Sequence, residues 1–196
     1  MDIASLAAEQ ALLTLANTLL KGTSEEWKRR ASICIRLAEQ HSGLPREDIA
    51  ETLETDPRLL TLTNRVLYAA GMRGSDEVLL GLSAVLGDTL REPSKADEAE
   101  VYVSILEKLT APHIELLRYA HTLSQETPRS CFTSLTNGSG LPPAIARVCL
   151  NDLVQGDLMQ EARLQAQTYS TLQTPMFEVT PTGELVLEVL SRVKSA

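Results

Sequence analysis

At 196 residues the chain suits one large or two small domains and can bury a working core. Apolar residues make up 43% but aromatics only 4%, so the apolar mass is Leu, Ala, Val and Ile, which favours packed helices over a large β-sandwich. A net charge of −8 argues against broad nonspecific attraction to phosphates, and Cys34, Cys131 and Cys149, with no C-x-x-C pair, read as reduced thiols rather than a disulfide framework.

The N-terminus carries Asp2 and Glu9 and lacks the basic segment of a secretory signal. Its most apolar stretch, 11–20, is interrupted by Thr14, Asn17 and Thr18 and falls short of the roughly 20 apolar residues of a bilayer span. A cytoplasmic protein with no membrane partner is therefore expected. Residues 3–21 show helical periodicity with a broad apolar face (Ile3, Leu6, Leu13, Ala16, Leu20), and Gly22 ends the helix. That face exceeds what one neighbour needs, so burial in a dimer competes with burial inside the domain.

Thr23 and Glu26 have capping-box spacing and open a second helix to about Gln40. Its cluster Lys28-Arg29-Arg30 reads as a solvated face behind Glu25 and Glu26. Pro45 begins a third helix, Asp56-Pro57 a fourth that reaches Ala70, and Ser75-Asp76 a fifth through Leu90. After the polar break 91–95, a sixth helix runs from Ala96 to Leu109 with Val101, Ile105 and Leu109 on one face. The acids Asp97, Glu98 and Glu100 at its start answer the helix dipole and face water. Residues 1–109 thus predict an all-α domain of about six helices, a dimerisation or effector unit.

Residues 110–196 predict a second domain. A helix from Pro112 to about Gln125 is followed by a loop, Thr127-Pro128-Arg129, and a short helix over Ser130–Leu135. Thr136 to Gly140 reads as a flexible turn. Pro142-Pro143 starts a helix to Gln155, Leu158–Leu164 and Met176–Thr180 form a hairpin with 165–175 as its tip, and a final helix carries Leu185, Val186, Val189 and Leu190. Three helices, a hairpin wing and a last helix are the order of a winged helix-turn-helix. The fold class expected is mainly α.

From Pro57 onward the chain also resembles a group of bacterial proteins with a helical region leading into a C-terminal winged helix, those grouped with the abortive-infection (Abi-alpha-like) factors. The residues that carry it are Asp97-Glu98-Ala-Glu-Val-Tyr102, Leu106-Glu-Lys-Leu-Thr-Ala-Pro-His113-Ile-Glu-Leu-Leu117, Leu150-Asn-Asp-Leu153, Asp157-Leu158 and Phe177-Glu-Val-Thr-Pro-Thr-Gly183. Residues 1–55 take no part. The resemblance implies an architecture and a link to phage defence or transcriptional control, and it brings no catalytic residue.

If the module meets DNA, its third helix enters the major groove and the wing touches the backbone or the minor groove. Ile145, Val148 or Cys149, Leu150 and Leu153 would face inward. Ala144, Arg147 and Asn151, with Gln155, would face outward, next to Thr136, Asn137 and Ser139 in the turn. Arg and Asn suit guanine and adenine edges. The wing would add Arg163, Gln165, Gln167 and Tyr169. Charge opposes this: Arg118, Arg129, Arg147, Arg163, Arg192 and Lys194 are set against Glu115, Glu126, Asp152, Asp157, Glu161, Glu178, Glu184 and Glu188, whereas phosphate binding draws on a basic surface. Binding of duplex DNA would then need a homodimer to double the contacts. The competing reading is a non-enzymatic adaptor whose winged helix binds a protein.

Catalysis and metal binding have little behind them. His113 and His121 lie eight positions apart on one helix, about 12 Å, which is too far for one ion, and His41 belongs to another helix. No H-E-x-x-H or zinc-spaced Cys pair is present. Cys131 and Cys149 read as small core residues. No cofactor, metal or catalytic set is expected, and the chain is read as a regulator, not an enzyme.

Overall fold

The computed structural model describes residues 25–72, 74–126, 130–162 and 175–192. Over them the protein is mainly helical, with one small three-stranded antiparallel sheet. The expected first helix, the loop 127–129 and residues 165–174 of the hairpin tip lie outside the described residues. The chain divides into two compact units: Met1–Lys108 with Val189–Ala196, and Leu109–Glu188.

In the first unit, α1 (Glu25–Ser42), α2 (Arg46–Thr55), α3 (Pro57–Met72), α4 (Asp76–Arg91) and α5 (Ala96–Leu106) follow one another, with a 3₁₀ turn at Pro93–Lys95. Helix α4 is the hub: it packs on α1, α3 and α5 and is buried on nearly every side, from Val78 and Leu79 through Leu82, Val85 and Leu86 to Leu90. Two small residues, Gly81 and Gly87, let neighbours approach; the backbone oxygen of Ala38 lies 2.8 Å from where a Cβ on Gly87 would sit. Helix α1 buries Trp27, Ala31, Cys34 and Ala38, a stripe at three- and four-residue spacing. Each buried Val or Leu of α4 stabilises by about 1.5–3 kcal/mol. Ser75 caps α4, its hydroxyl accepting from Val78 N at 3.5 Å.

Two expectations change here. Arg30 is not on a solvated face: it is 7% exposed, although Lys28 and Arg29 do pair outward with Glu25 and Glu26. Its guanidinium instead donates to Ala70 O, Ser75 O and the Asp76 carboxylate, closing the end of α3 onto the start of α4. Helix α5 stops at Leu106 rather than Leu109, because Glu107 and Lys108 form a turn. It buries Ala99, Val103 and Leu106, and Val101 is exposed.

In the second unit, α6 (Ala111–Glu126), β1 (Ser130–Cys131), α7 (Phe132–Ser139), α8 (Pro143–Gln155), β2 (Met159–Glu161) and β3 (Met176–Val179) lead into α9 (Pro181–Arg192), whose last residues belong with the first unit. The strand order is β1-β3-β2. Ser130 pairs with Phe177 and Met159 with Val179, both antiparallel. Helix α6 packs on α7, α8 and β3.

The short helix expected over Ser130–Leu135 is corrected at both ends. Ser130 and Cys131 are extended because β3 offers them a partner edge, a long-range pairing that no local pattern announces. The helix then continues through the stretch read as a turn. Leu135 is buried, and the Thr136 hydroxyl is bonded back to Phe132 O and Thr133 O. Gly138 serves proximity rather than flexibility: a Cβ there would run into the Tyr119 ring. Gly140, at φ +72°, ends the helix in the left-handed position.

Candidate nucleic-acid interface

Helix α8 is held by Ala146, Cys149, Leu150 and Leu153, all buried at i, i+3, i+4 and i+7. Of the expected inward face, Leu150 and Leu153 are buried and Cys149 is taken in place of Val148, whereas Ile145 is corrected: it is 44% exposed, and Val148 57%. Helix α8 starts at Pro143 as expected, with Ala146 N bonded to Pro142 O at 2.9 Å; which of its apolar faces is buried is set by its packing on α6 and β2. The solvent face of α8 therefore carries Ala144, Ile145, Arg147, Val148, Asn151 and Gln155. Arg147 lies with its guanidinium carbon 5.1 Å from the centre of the Phe132 ring, a cation–π contact that draws it toward the start of α7.

The preceding segment contributes less than expected. Asn137 is exposed. Thr136 is 7% exposed with its hydroxyl committed inside α7, so it is withdrawn from the interface. Ser139 is half-buried; its hydroxyl donates to Thr136 O and accepts from Leu141 N, both at 3.4 Å. Arg163, Gln165, Gln167 and Tyr169 lie outside the described residues, as does Arg129.

Carboxylates share this surface. Asp152, on α8, is exposed, as are Asp157 and Glu161, and Gln160 donates to Glu178 across the strands at 2.7 Å. Asp152 has a partner that sequence reading missed as a contact: His113 Nε2 is 3.2 Å away. His113 is 8% exposed, and its Nδ1 accepts from Thr110 N at 3.2 Å. In a neutral imidazole that leaves the hydrogen on Nε2, directed at Asp152. His113 thus ties α6 to α8, and the i, i+8 spacing to His121 concealed it because its partner is 39 residues away. Among the described residues no three His, Cys, Asp or Glu side chains gather as a metal-binding group.

The cysteines differ sharply. Cys131 is half-buried at the start of α7, not a core residue, and the Ser134 hydroxyl 3.2 Å from its sulfur holds the thiol below its usual value, aided by nearby backbone N–H groups. Burial pushes Cys149 up, with the Asp152 charge adding to it. Burial pushes Cys34 up to about 11. Since the thiolate is the reactive form, iodoacetamide at neutral pH is expected to modify Cys131 first and Cys34 last, as read by peptide mass mapping. Equal labelling of all three thiols in the folded protein would contradict these environments.

Among the described residues no helix is long and apolar enough to cross a membrane. No protein-family model, curated protein or solved structure matches the chain.

Proposed function

We propose that Leu109–Glu188 is a winged helix and that the protein is a DNA-binding transcriptional regulator, its first unit serving dimerisation or effector sensing. The element order supports this: a strand between the first and second helices adds to the hairpin, and the third helix turns one face to solvent. The observation that carries the reading is the exposed row on α8. Arg147 and Asn151 can address guanine and adenine edges, while Ala144, Ile145 and Val148 can meet thymine methyls. The acidic surface makes a dimer necessary, since each copy supplies few phosphate contacts.

Titration of the purified protein against random and genomic duplex DNA at two salt concentrations tests it. Salt-sensitive binding that enriches a palindrome is expected. Arg147→Ala should weaken the enriched site about tenfold, the discrimination one good base contact provides. Absence of binding at low salt overturns the regulator.

A second reading, a protein-binding adaptor, draws on Ile145 and Val148, an exposed apolar pair beside Asp152 on the helix that would otherwise meet phosphates. Under it, Ile145→Ser and Val148→Ser abolish partner capture, and Arg147→Ala leaves any affinity for duplex DNA unchanged.

A further inference from the structure

The first unit contains a cleft of about 130 Å³ built by a repeated device. Three helices each line it with a pair three residues apart: Val85 and Asp88 from α4, Ala99 and Tyr102 from α5, Val189 and Arg192 from α9. In each pair one member is buried and apolar, and the other is polar and reaches toward solvent. The result is a small apolar floor under a polar rim. Lys95, from the 3₁₀ turn, and Glu98 complete that rim.

The rim carries both signs of charge, and its pairs fix where each sign sits. Asp88 Oδ2 accepts from Arg192 at 2.8 Å, while its Oδ1 accepts from Arg91 at 2.7 Å and lies 3.1 Å from His41 Nε2. Asp88 is therefore occupied in positioning Arg192. Lys95 Nζ lies 2.8 Å from Glu92, a pair whose side chains are 50% and 53% exposed. Such a pair is weak in water and exchanges readily. A lone anion entering the cleft meets Glu98 and Asp88, and a lone cation meets Lys95 and Arg192. A ligand bearing both charges can answer both signs of the rim at once.

We infer that this cleft binds a small zwitterion, an α-amino acid with a short aliphatic side chain. Its carboxylate lies between Lys95 and Arg192, its ammonium meets Glu98, and its side chain rests on Val85, Ala99 and Val189. The site is an effector site in kind, and it stands independently of the DNA reading, because binding is measured on the free protein.

The test is calorimetric titration with L-valine, beside 3-methylbutanoate, which lacks the ammonium, and 2-methylpropylamine, which lacks the carboxylate. Saturable valine binding is expected, with each single-charge analogue at least about tenfold weaker, the factor one charge-assisted contact contributes. Lys95→Gln and Glu98→Gln change exposed side chains and leave the melting temperature intact, yet each should lose about tenfold in Kd. No heat from valine at millimolar concentration overturns the assignment. Binding that persists in both variants, or analogues that bind as well as valine, overturns it equally.

Discussion

Gly183→Ala is expected to destabilise the Leu109–Glu188 unit by about 3 kcal/mol, the upper range of overpacking. Gly183 sits in the first turn of α9, where a Cβ would overlap the carbonyl oxygen of Leu158 and come within 2.8 Å of Val179 Cγ1. The first of these is backbone and cannot rotate away. Leu158 O already accepts from Thr180 N at 3.1 Å, and Gly183 N donates to the Thr180 hydroxyl, which itself donates to Asp157 O at 2.6 Å. The strand, the cap and the turn are thus one hydrogen-bonded knot, and displacing any member disturbs all of it. Thermal melts by circular dichroism check the expectation, and a shift smaller than about 2 °C would refute it. Thr180→Val, which removes the cap but keeps the volume, should cost about 1 kcal/mol.

Arg30→Lys is expected to cost about 2 kcal/mol, nearly as much as Arg30→Met. Arg30 is buried, and its forked donors reach Ala70 O at 3.2 Å, Ser75 O at 3.0 Å and Asp76 at 2.9 Å. The Asp76 side chain is 87% exposed, so that ion pair adds little. The two carbonyls matter more, because they belong to the end of one helix and the cap of the next, and an unmet buried acceptor costs about 1–3 kcal/mol. A single ammonium cannot span all three acceptors. Urea unfolding with an unchanged slope would measure the loss; a change in Arg30→Lys below about 0.5 kcal/mol, the scale of a neutral surface substitution, would show that the guanidinium fork is dispensable.

Several helices were legible because their signals are local. Ser75 before an apolar run and Pro57 after Asp56 are punctuation that acts within one turn, and the structure begins α4 and α3 there. In α1 the apolar spacing marks Trp27, Ala31 and Cys34, which are buried, and also Ile33 and Leu37, which are only half-buried. The strand expected to end at Thr180 and the helix expected after it are both present, with the strand ending at Val179 and the helix starting at Pro181.

The misreadings share a cause. Ser130 and Cys131 become a strand only because β3, more than 40 positions later, offers them hydrogen bonds. Gly138 resembles a turn signal, and only the nearness of Tyr119 explains a glycine within a helix. Arg30 stands in a basic cluster, and its acceptors lie 40 to 46 residues away. The candidate interface depends on the same kind of information: composition and spacing place Arg147 and Asn151 outside, but they put Ile145 inward and leave Val148 and Cys149 as alternatives, because α8 has apolar residues on more than one face. Period and capping chemistry therefore determined the helices and the mainly α class, since both act over a few residues. Tertiary packing alone decided the third strand, the face that α8 turns to solvent, the partners of Arg30 and His113, and the cleft of mixed charge, because each requires surfaces that chain folding brings together from distant positions.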